Sequence, residues 1–169
     1  AANSLASALA AQAGGADRIE LCENLGEGGC TPSYGTVAVA RERLRVPLYV
    51  LVRPRGGDFL YSELEFNSML EDVKALRDLG VAGVVIGCLT PDGKIDEART
   101  KALVDAARPM KVTCHRAFDM TRNYAEALEA LIRSGVDRVL TSGQRDTAVE
   151  GSDILKDTVA RADGRIVIM

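Results

Sequence analysis

The sequence lacks the features that mark nucleic-acid-binding, membrane and secreted proteins. Acidic residues outnumber basic ones by 24 to 21, and the net charge of −3 shows none of the basic excess that binds nucleic acid. No apolar run approaches the roughly 18 residues that a membrane helix needs. The opening stretch AANSLASALAAQAGG has neither the basic start nor the long apolar segment of a secretory signal. We therefore expect neither nucleic acid nor a membrane as a partner.

Paired cysteine motifs are also absent. The chain has 4 cysteines, Cys22, Cys30, Cys88 and Cys114, and no two of them form a CxxC motif. This spacing argues against a zinc ribbon and against a disulfide-stabilised scaffold. Free thiols are typical of a reducing compartment, so the sequence predicts a cytoplasmic protein.

What the sequence does contain is a repeated pattern of helix, glycine and β-branched strand. GGADRIELC, LGVAGVVIGC and SGVDRVLTSG share it: the glycine fits a helix C-cap, and the apolar run fits a strand buried on both faces. The predicted strands lie near 18–22, 47–53, 83–87, 111–115, 138–142 and 165–169. The predicted helices lie near 4–14, 33–44, 62–79, 96–107, 123–134 and 150–161.

Strands and helices that alternate six times predict an α/β fold with a parallel sheet. An open doubly wound sheet and a TIM (β/α)8-type barrel both satisfy this alternation. The barrel is favoured because polar or charged residues follow the strands in every repeat, as a ring of sites would require. A doubly wound sheet usually concentrates its chemistry at one switch point.

The chain is short for a complete barrel, which typically needs about 250 residues. It begins on a helix and stops on a strand, and no linker or low-complexity segment interrupts it. We therefore expect residues 1–169 to be one domain, a fragment of a barrel with about six strands and six helices that lacks the first strand and the C-terminal units.

The stretch RPRGGDFLYS, residues 53–62, directly follows the apolar run PLYVLV. Arg53 and Arg55 would lie at the carboxyl end of a strand, where two planar guanidinium groups suit a carboxylate or phosphate. Asp58 could pair with either arginine or cap the turn. The two glycines would allow the backbone to approach a ligand closely. These residues predict a ligand-binding site for a small anion, with a structural ion network as the alternative.

The RIELC stretch places Glu20 and Cys22 on one face of a strand, because side chains alternate. If Ile19 and Leu21 face the helices, Glu20 and Cys22 point into the barrel. A buried carboxylate is costly unless it is paired. Glu20 is therefore either a structural partner of an arginine or a catalytic group near the barrel mouth.

The only histidine, His115, lies in the stretch TCHRAFD. It is a candidate general base, with Asp119 or Glu20 expected to fix its tautomer. Arg116 would add a cation for an anionic ligand. Ser142, in the LTSG stretch, is expected to contribute backbone N–H groups to the same anion. With Glu20 and Asp119 as further catalytic candidates, these residues predict acid–base chemistry on a small anionic metabolite, and leave isomerisation, aldol cleavage and hydrolysis open.

Several stretches together resemble the CutC family, which is named for copper homeostasis. They are AQAGGADRIELC, EGGCTPSYG with Cys30 at a variable position, VRPRGGDFLYS, LTPDGKID, VTCHRAFDM and DRVLTSG. The resemblance runs from end to end of the chain. Cys114 departs from it, because the family usually has an aromatic or other apolar residue there.

The resemblance implies a TIM-type barrel and a cytoplasmic protein that binds Cu(I). It implies that Cys22, the cysteine of the IELC motif, is a metal ligand, and that a second ligand lies on a strand absent from this chain. Copper homeostasis is therefore the first hypothesis. The alternative is an enzyme acting on a small phosphate or carboxylate metabolite, and a third is a scaffold that works through oligomer contacts. We expect a homo-oligomer in each case.

Overall fold

The computed structural model describes residues 1–169 as six strands and six helices that alternate along the chain. The strands are β1 Ile19–Leu21, β2 Leu48–Leu51, β3 Gly83–Ile86, β4 Lys111–Cys114, β5 Arg138–Val139 and β6 Val167–Ile168. The helices are α1 Leu5–Ala13, α2 Tyr34–Arg43, α3 Glu63–Leu79, α4 Glu97–Ala107, α5 Tyr124–Arg133 and α6 Ser152–Ala162. Two short 3₁₀ helices, Leu25–Glu27 and Arg116–Met120, follow β1 and β4. The predicted α/β alternation is confirmed.

The first of two compact units comprises Ala1–Asp58, Glu63–Val85 and Ala106–Lys111. Its strands follow chain order, with β1 parallel to β2 and β2 parallel to β3. The register places Glu20 beside Tyr49 and Tyr49 beside Gly83. A Cβ atom on Gly83 would overlap the Tyr49 ring and lie 2.7 Å from the Lys111 carbonyl oxygen. Glycine at 83 therefore makes room for the tyrosine ring inside the sheet layer.

The second unit comprises Phe59–Ser62, Ile86–Asp105 and Val112–Met169. Strands β4, β5 and β6 pair in parallel, with Thr113 beside Arg138 and Arg138 beside Val167. Helix α5 packs on α6 and buries Leu128 and Leu131. Its first turn is capped by Asn123, whose side-chain oxygen accepts hydrogen bonds from the next helical N–H groups.

Helix α3 shows how far the apolar pattern predicts burial. Met69, Val73 and Leu76 are buried, as their spacing predicts. The three- to five-residue spacing of the apolar residues also predicts Leu64 on this stripe, but Leu64 lies in the first turn of the helix and is largely exposed. The stripe therefore covers the middle of the helix and not its start. No helix of the chain combines the length and the apolar character needed to cross a membrane.

Every strand ends before its predicted boundary, and two of them do so by two residues or more. The strand expected over 47–53 ends at Leu51, although the Val52 N–H still donates to the Val85 carbonyl. The strand expected over 138–142 ends at Val139. Beyond these ends the Arg53 N–H bonds to Thr31 and the Ser142 N–H bonds to Asp119, although the Thr141 N–H still donates to the Met169 carbonyl oxygen. These early ends are what place polar groups beyond the strands.

Candidate functional site

Arg53, at the end of β2, is held by backbone carbonyls. Its side chain is buried, at 4% exposure. Nη1 donates to the carbonyl oxygens of Glu27 at 2.7 Å and Gly29 at 2.9 Å. Nη2 donates to the carbonyl oxygen of Gly57 at 2.6 Å. The guanidinium group therefore joins two loops, 24–29 and 54–58, and three of its five N–H donors serve that purpose.

The glycines of these loops allow the close packing that surrounds Arg53. A Cβ on Gly56 would lie 2.5 Å from Oε2 of Glu27, and one on Gly28 would lie 3.2 Å from Nη1 of Arg53. Gly28, Gly29 and Gly57 all have positive φ angles, which other residues rarely adopt. The predicted close backbone approach is present, but the group approached is another loop of the same chain.

Arg55 and Asp58 form a local ion-pair cluster. Arg55 donates through Nε to Glu65 at 2.6 Å and through Nη2 to Asp58 at 3.1 Å. The Glu65 carboxylate is the main cause that raises the pKa of Arg55 above its usual value. The Arg55 side chain is more than one-third exposed, and the Asp58 side chain is more exposed still. Because solvent screens exposed ion pairs, these pairs contribute little to stability. Of the two predicted roles of Asp58, the structure shows pairing with an arginine.

Glu20 pairs with Arg18, which directly precedes its strand. Arg18 Nη2 lies 2.7 Å from Glu20 Oε1, and the Arg18 guanidinium also stacks over the Tyr49 ring at 4.9 Å from its centroid. Both side chains are only partly exposed. This pairing is the structural alternative expected for Glu20, and it lowers the cost of placing a carboxylate beside the sheet.

Cys22 lies directly beyond β1 and is 6% exposed. Its thiol is reduced, and Sγ donates a long, weak hydrogen bond of 3.6 Å to the carbonyl oxygen of Ala2. Burial raises the pKa of this thiol above its usual value. A Cβ on Gly29 would lie 3.5 Å from Cys22 Cβ and 3.7 Å from Sγ. Gly29, the last residue of the loop 24–29, therefore lies next to Cys22.

Cys30 lies near Cys22 in the chain and pairs with Glu23. Cys30 and Glu23 form an antiparallel bridge with two backbone hydrogen bonds, so their side chains share one side of this short ribbon. Cys22 directly precedes Glu23, and the Cys30 thiol is near enough to contribute to the raised pKa of Cys22, after burial as the main cause. Asn24 Nδ2 lies 4.0 Å from the Cys30 sulfur. No group of three or more histidine, cysteine, aspartate and glutamate residues has the geometry of a metal site.

In the second unit, the ring of His115 is fixed by the backbone that follows β4. Nδ1 accepts a hydrogen bond from the Ala117 N–H at 3.1 Å, so the neutral ring carries its proton on Nε2. The ring packs 4.8 Å from the Phe59 ring, and a Cβ on Gly87 would lie 2.5 Å from Cε1. Asp119 or Glu20 was expected to fix the tautomer. The Ala117 N–H does so instead, because His115 caps the 3₁₀ helix that begins at Arg116.

Asp119 organises the loop that follows β5. Its side chain is 4% exposed. It accepts hydrogen bonds from the Thr141 hydroxyl and from the N–H groups of Ser142 and Gln144, both at 3.0 Å. Arg116 Nε also donates to it. Burial alone would raise the pKa of Asp119, but the hydrogen bonds outweigh it and hold the pKa below its usual range.

The N–H groups of the Ser142 loop, expected to bind an external anion, are engaged within the chain in this structure. The Ser142 and Gln144 N–H groups bind Asp119, and the Gly143 N–H donates to the Thr141 hydroxyl oxygen at 2.9 Å. Arg116, predicted to bind a ligand, bonds Asp119 and the Arg145 carbonyl oxygen. The anion in this loop is therefore a carboxylate of the chain itself.

Three partners of this region were missed from the sequence. Ala117 contributes only its backbone, and Thr141 and Phe59 lie far from Asp119 and His115 in the chain. A capping rule would have found the first, because a polar residue directly before a helical turn often accepts from an N–H two residues later. The other two carry no local signal. The catalytic and ligand-binding roles of the candidate residues stay predictions.

Comparison with known proteins gives the family and the fold. A CutC family protein of Mesorhizobium japonicum is 66% identical over 161 residues, which cover 95% of this chain and 62% of that protein. The chain thus spans less than two thirds of that relative's length.

Solved structures agree with the sequence comparison. The CutC protein of Streptococcus agalactiae, provisionally named for copper homeostasis, has a TM-score of 0.94 at 32% identity and covers 99% of this chain and 83% of that one. A phosphoenolpyruvate phosphomutase of Streptomyces platensis shares the fold alone, with a TM-score of 0.60 at 19% identity over 99% of this chain and 73% of that one. These neighbours are TIM-barrel-type proteins, which confirms the predicted fold class.

The CutC family model matches residues 1–169, the whole of the sequence. Together with the relatives, this match shows that the chain belongs to the CutC family.

Proposed function

We propose that this chain serves copper homeostasis by binding Cu(I) as cargo through the thiolate of Cys22. The proposal starts from the name of the Streptococcus agalactiae relative, which refers to copper homeostasis. Sulfur is a soft donor that selects Cu(I) over hard cations. Family membership alone does not identify the donor, so the argument depends on the chain's own residues.

One observation carries the proposal: among the candidate groups of the first unit, Cys22 has the weakest internal partner. Arg53 bonds three carbonyls, Glu20 bonds Arg18, and Arg55 bonds Glu65 and Asp58. The Cys22 thiol makes a single hydrogen bond of 3.6 Å, which uses its proton and leaves the sulfur lone pairs for a metal. Of the groups predicted to bind a ligand, Cys22 loses the weakest internal hydrogen bonding when it binds one.

Cu(I) binding to Cys22 requires loss of the thiol proton, because the thiolate is the ligand. Burial raises the pKa of this thiol, so the proton competes strongly with the metal at neutral pH. The chain's residues offer the Cys22 thiol at this position and no cluster of three candidate ligands. Such a site leaves coordination positions open, which suits an ion that is to be passed on.

Competition titration of the reduced protein with a Cu(I)-specific chelator tests the proposal. Cys22→Ser should lose the Cu(I) that the wild type takes from the chelator. Cys88→Ser is the matched control, because Cys88 is a buried free thiol whose pKa is raised to about 12. Equal stoichiometry and affinity in the wild type and Cys22→Ser would refute the assignment.

A second candidate function is the binding, and turnover, of a small phosphate or carboxylate metabolite. The fixed tautomer of His115 favours it, since a buried neutral Nε2–H is an oriented hydrogen-bond donor for a ligand oxygen. In this tautomer the ring donates a proton at Nε2 and does not accept one there. The candidate role is therefore that of a hydrogen-bond donor that polarises a ligand oxygen, and the general-base role of His115 stays a prediction.

Native mass spectrometry of the protein with a panel of carboxylates and phosphates tests this second function. His115→Gln keeps an N–H donor at a similar reach and should retain part of any binding, whereas His115→Phe should abolish it. A ligand that binds both variants as it binds the wild type would exclude His115 from the site.

We also propose a cytoplasmic location and a homo-oligomer. All four cysteines are free, and three of them are buried, which fits a reducing compartment. Cell fractionation tests the location, and light scattering coupled to size-exclusion chromatography tests the assembly. Recovery in an oxidising compartment with the thiols blocked, or a monomeric mass, would contradict the respective proposal.

A further inference from the structure

The loop 24–29 comes next to Cys22 at its last residue, Gly29. Residues 24–28 are exposed, but Gly29 is buried. A Cβ on Gly29 would lie 2.8 Å from Leu51 Cδ2 as well as within van der Waals contact of Cys22. Cys22 is only 6% exposed, so a reagent or an ion reaches the sulfur only when a neighbouring segment moves, and the Gly29 end of the loop is one such neighbour.

Arg53 is the main attachment of this loop to the rest of the first unit. Three N–H groups of the loop donate to carbonyl oxygens within the loop itself. They belong to Glu27, Gly28 and Gly29, and the acceptors are Asn24 and Leu25. The outward hydrogen bonds are those from Arg53 Nη1 to the carbonyls of Glu27 and Gly29. The Glu23–Cys30 pair closes the base of the loop.

The same guanidinium group also bonds the Gly57 carbonyl, which ties the loop 24–29 to the loop 54–58. Arg53 is itself fixed by its backbone, because its N–H donates to the Thr31 hydroxyl oxygen at 2.8 Å and its carbonyl accepts from the Thr31 N–H at 2.9 Å. Arg53 is therefore anchored on Thr31, in the segment just beyond the loop 24–29 that its side chain holds.

We propose that the loop 24–29 is a lid over Cys22 and that Arg53 is the positioning residue that holds it shut. Cu(I) reaches or leaves Cys22 when the two Nη1 hydrogen bonds open. This inference rests on the proposed role of Cys22 as the Cu(I) donor. It replaces the expectation that Arg53 binds an external anion, because the carbonyls of the lid occupy its donors.

The rate at which N-ethylmaleimide labels Cys22 in the native protein measures lid opening without copper. Cleavage after glutamate separates Cys22 from Cys30, since Glu23 and Glu27 lie between them, so mass spectrometry reads each thiol. Arg53→Gln should speed Cys22 labelling about tenfold or more, the ratio expected for loss of hydrogen bonds from a charged donor. Removing a cation does not itself favour a thiolate, so a faster rate reports access.

Arg53→Lys keeps the charge and part of the bonding, so it should label at an intermediate rate. Gly29→Ala should also speed labelling, because its Cβ would meet Leu51 without any change at Arg53. Leu25→Ala is the matched control on the lid, since Leu25 is 50% exposed. It should label like the wild type.

Cys88 and Cys114 report global unfolding in the same sample, because both are buried and their pKa values are raised to about 12. Faster labelling of Cys22 alone supports the lid. If all three thiols label together in Arg53→Gln, that variant has unfolded, and Arg53→Lys and Gly29→Ala decide. Wild-type rates at Cys22 in both of them would overturn the inference. Failure of the copper proposal is distinguishable, because it would appear in the chelator titration and leave these labelling rates unchanged.

Discussion

Asp119 illustrates how a single residue changes its meaning between sequence and structure. In the sequence it is a carboxylate beside a histidine, which suggests proton transfer. In the structure it accepts hydrogen bonds from Thr141, Ser142, Gln144 and Arg116, and these bonds lower its pKa. A carboxylate with a lowered pKa and several donors is a poor base but a strong organiser of the loop.

Asp119→Asn should lower the free energy of unfolding at pH 7 by about 3 kcal/mol, because an amide leaves buried N–H donors facing a weaker acceptor. Urea denaturation measures the change. Asp105→Asn is the control, because Asp105 is an exposed helix residue paired only with Lys101, and it should change stability by less than about 0.5 kcal/mol.

The same variant should also show a defined pH dependence. Because the folded-state pKa of Asp119 is below the unfolded value, its contribution is fully present above the unfolded pKa of about 3.9 and is lost as pH falls through the folded pKa. The stability difference between the wild type and Asp119→Asn should therefore shrink below about pH 4. A difference that grows with acid would contradict the direction of the pKa shift.

The tautomer of His115 is a second prediction at the residue scale. Nitrogen-15 NMR should show Nε2 protonated and Nδ1 unprotonated, because Nδ1 accepts from the Ala117 N–H. The assignment is direct, since the chain has a single histidine. A protonated Nδ1 at neutral pH would show that the ring is held differently and would remove the basis of the second candidate function.

At the scale of single elements, local patterns predicted most helices and strands but not their ends. The α3 stripe predicts the burial of Met69, Val73 and Leu76 because helical spacing is a local property. The course of the chain beyond β5 is not local, because Ser142 bonds to Asp119, which lies 23 residues earlier in the chain. Sequence periodicity carries no information about that contact.

The RPRGGD stretch was predicted in part for the same reason. Its glycines do allow a close approach, and Arg53 does offer a planar set of donors. What the stretch cannot show is the partner, since Glu27 and Gly29 precede Arg53 by 26 and 24 residues. A site for a ligand and a clamp on another loop have the same local sequence.

Gly83→Ala tests the packing of β2 against β3. Its Cβ would overlap the Tyr49 ring and approach the Lys111 carbonyl, so the substitution should destabilise the protein by about 1–3 kcal/mol. Gly35→Ala is the control, because Gly35 lies in α2 with no atom near its added Cβ, and alanine there should be neutral or stabilising. Thermal or urea unfolding compares them, and equal stabilities would contradict the described register.

At the scale of the whole molecule, the alternation of strands and helices was sufficient to predict the α/β class. The choice of a barrel over an open sheet required the polar strand ends, and the TIM-barrel-type neighbours confirm it. The CutC resemblance seen in the motifs is confirmed by the family match over residues 1–169. Function is harder to predict at this scale, because the residues that resemble a catalytic set are hydrogen-bonded to groups of the chain itself inside each unit.

The central claim is that the sulfur of Cys22 binds Cu(I). Copper K-edge X-ray absorption of the chain loaded with equimolar Cu(I) under reducing conditions tests it most directly. The wild type and Cys88→Ser should both show a sulfur atom in the first coordination shell, and Cys22→Ser should lose it. A shell of nitrogen and oxygen alone in the wild type, or an unchanged sulfur signal in Cys22→Ser, would contradict the claim.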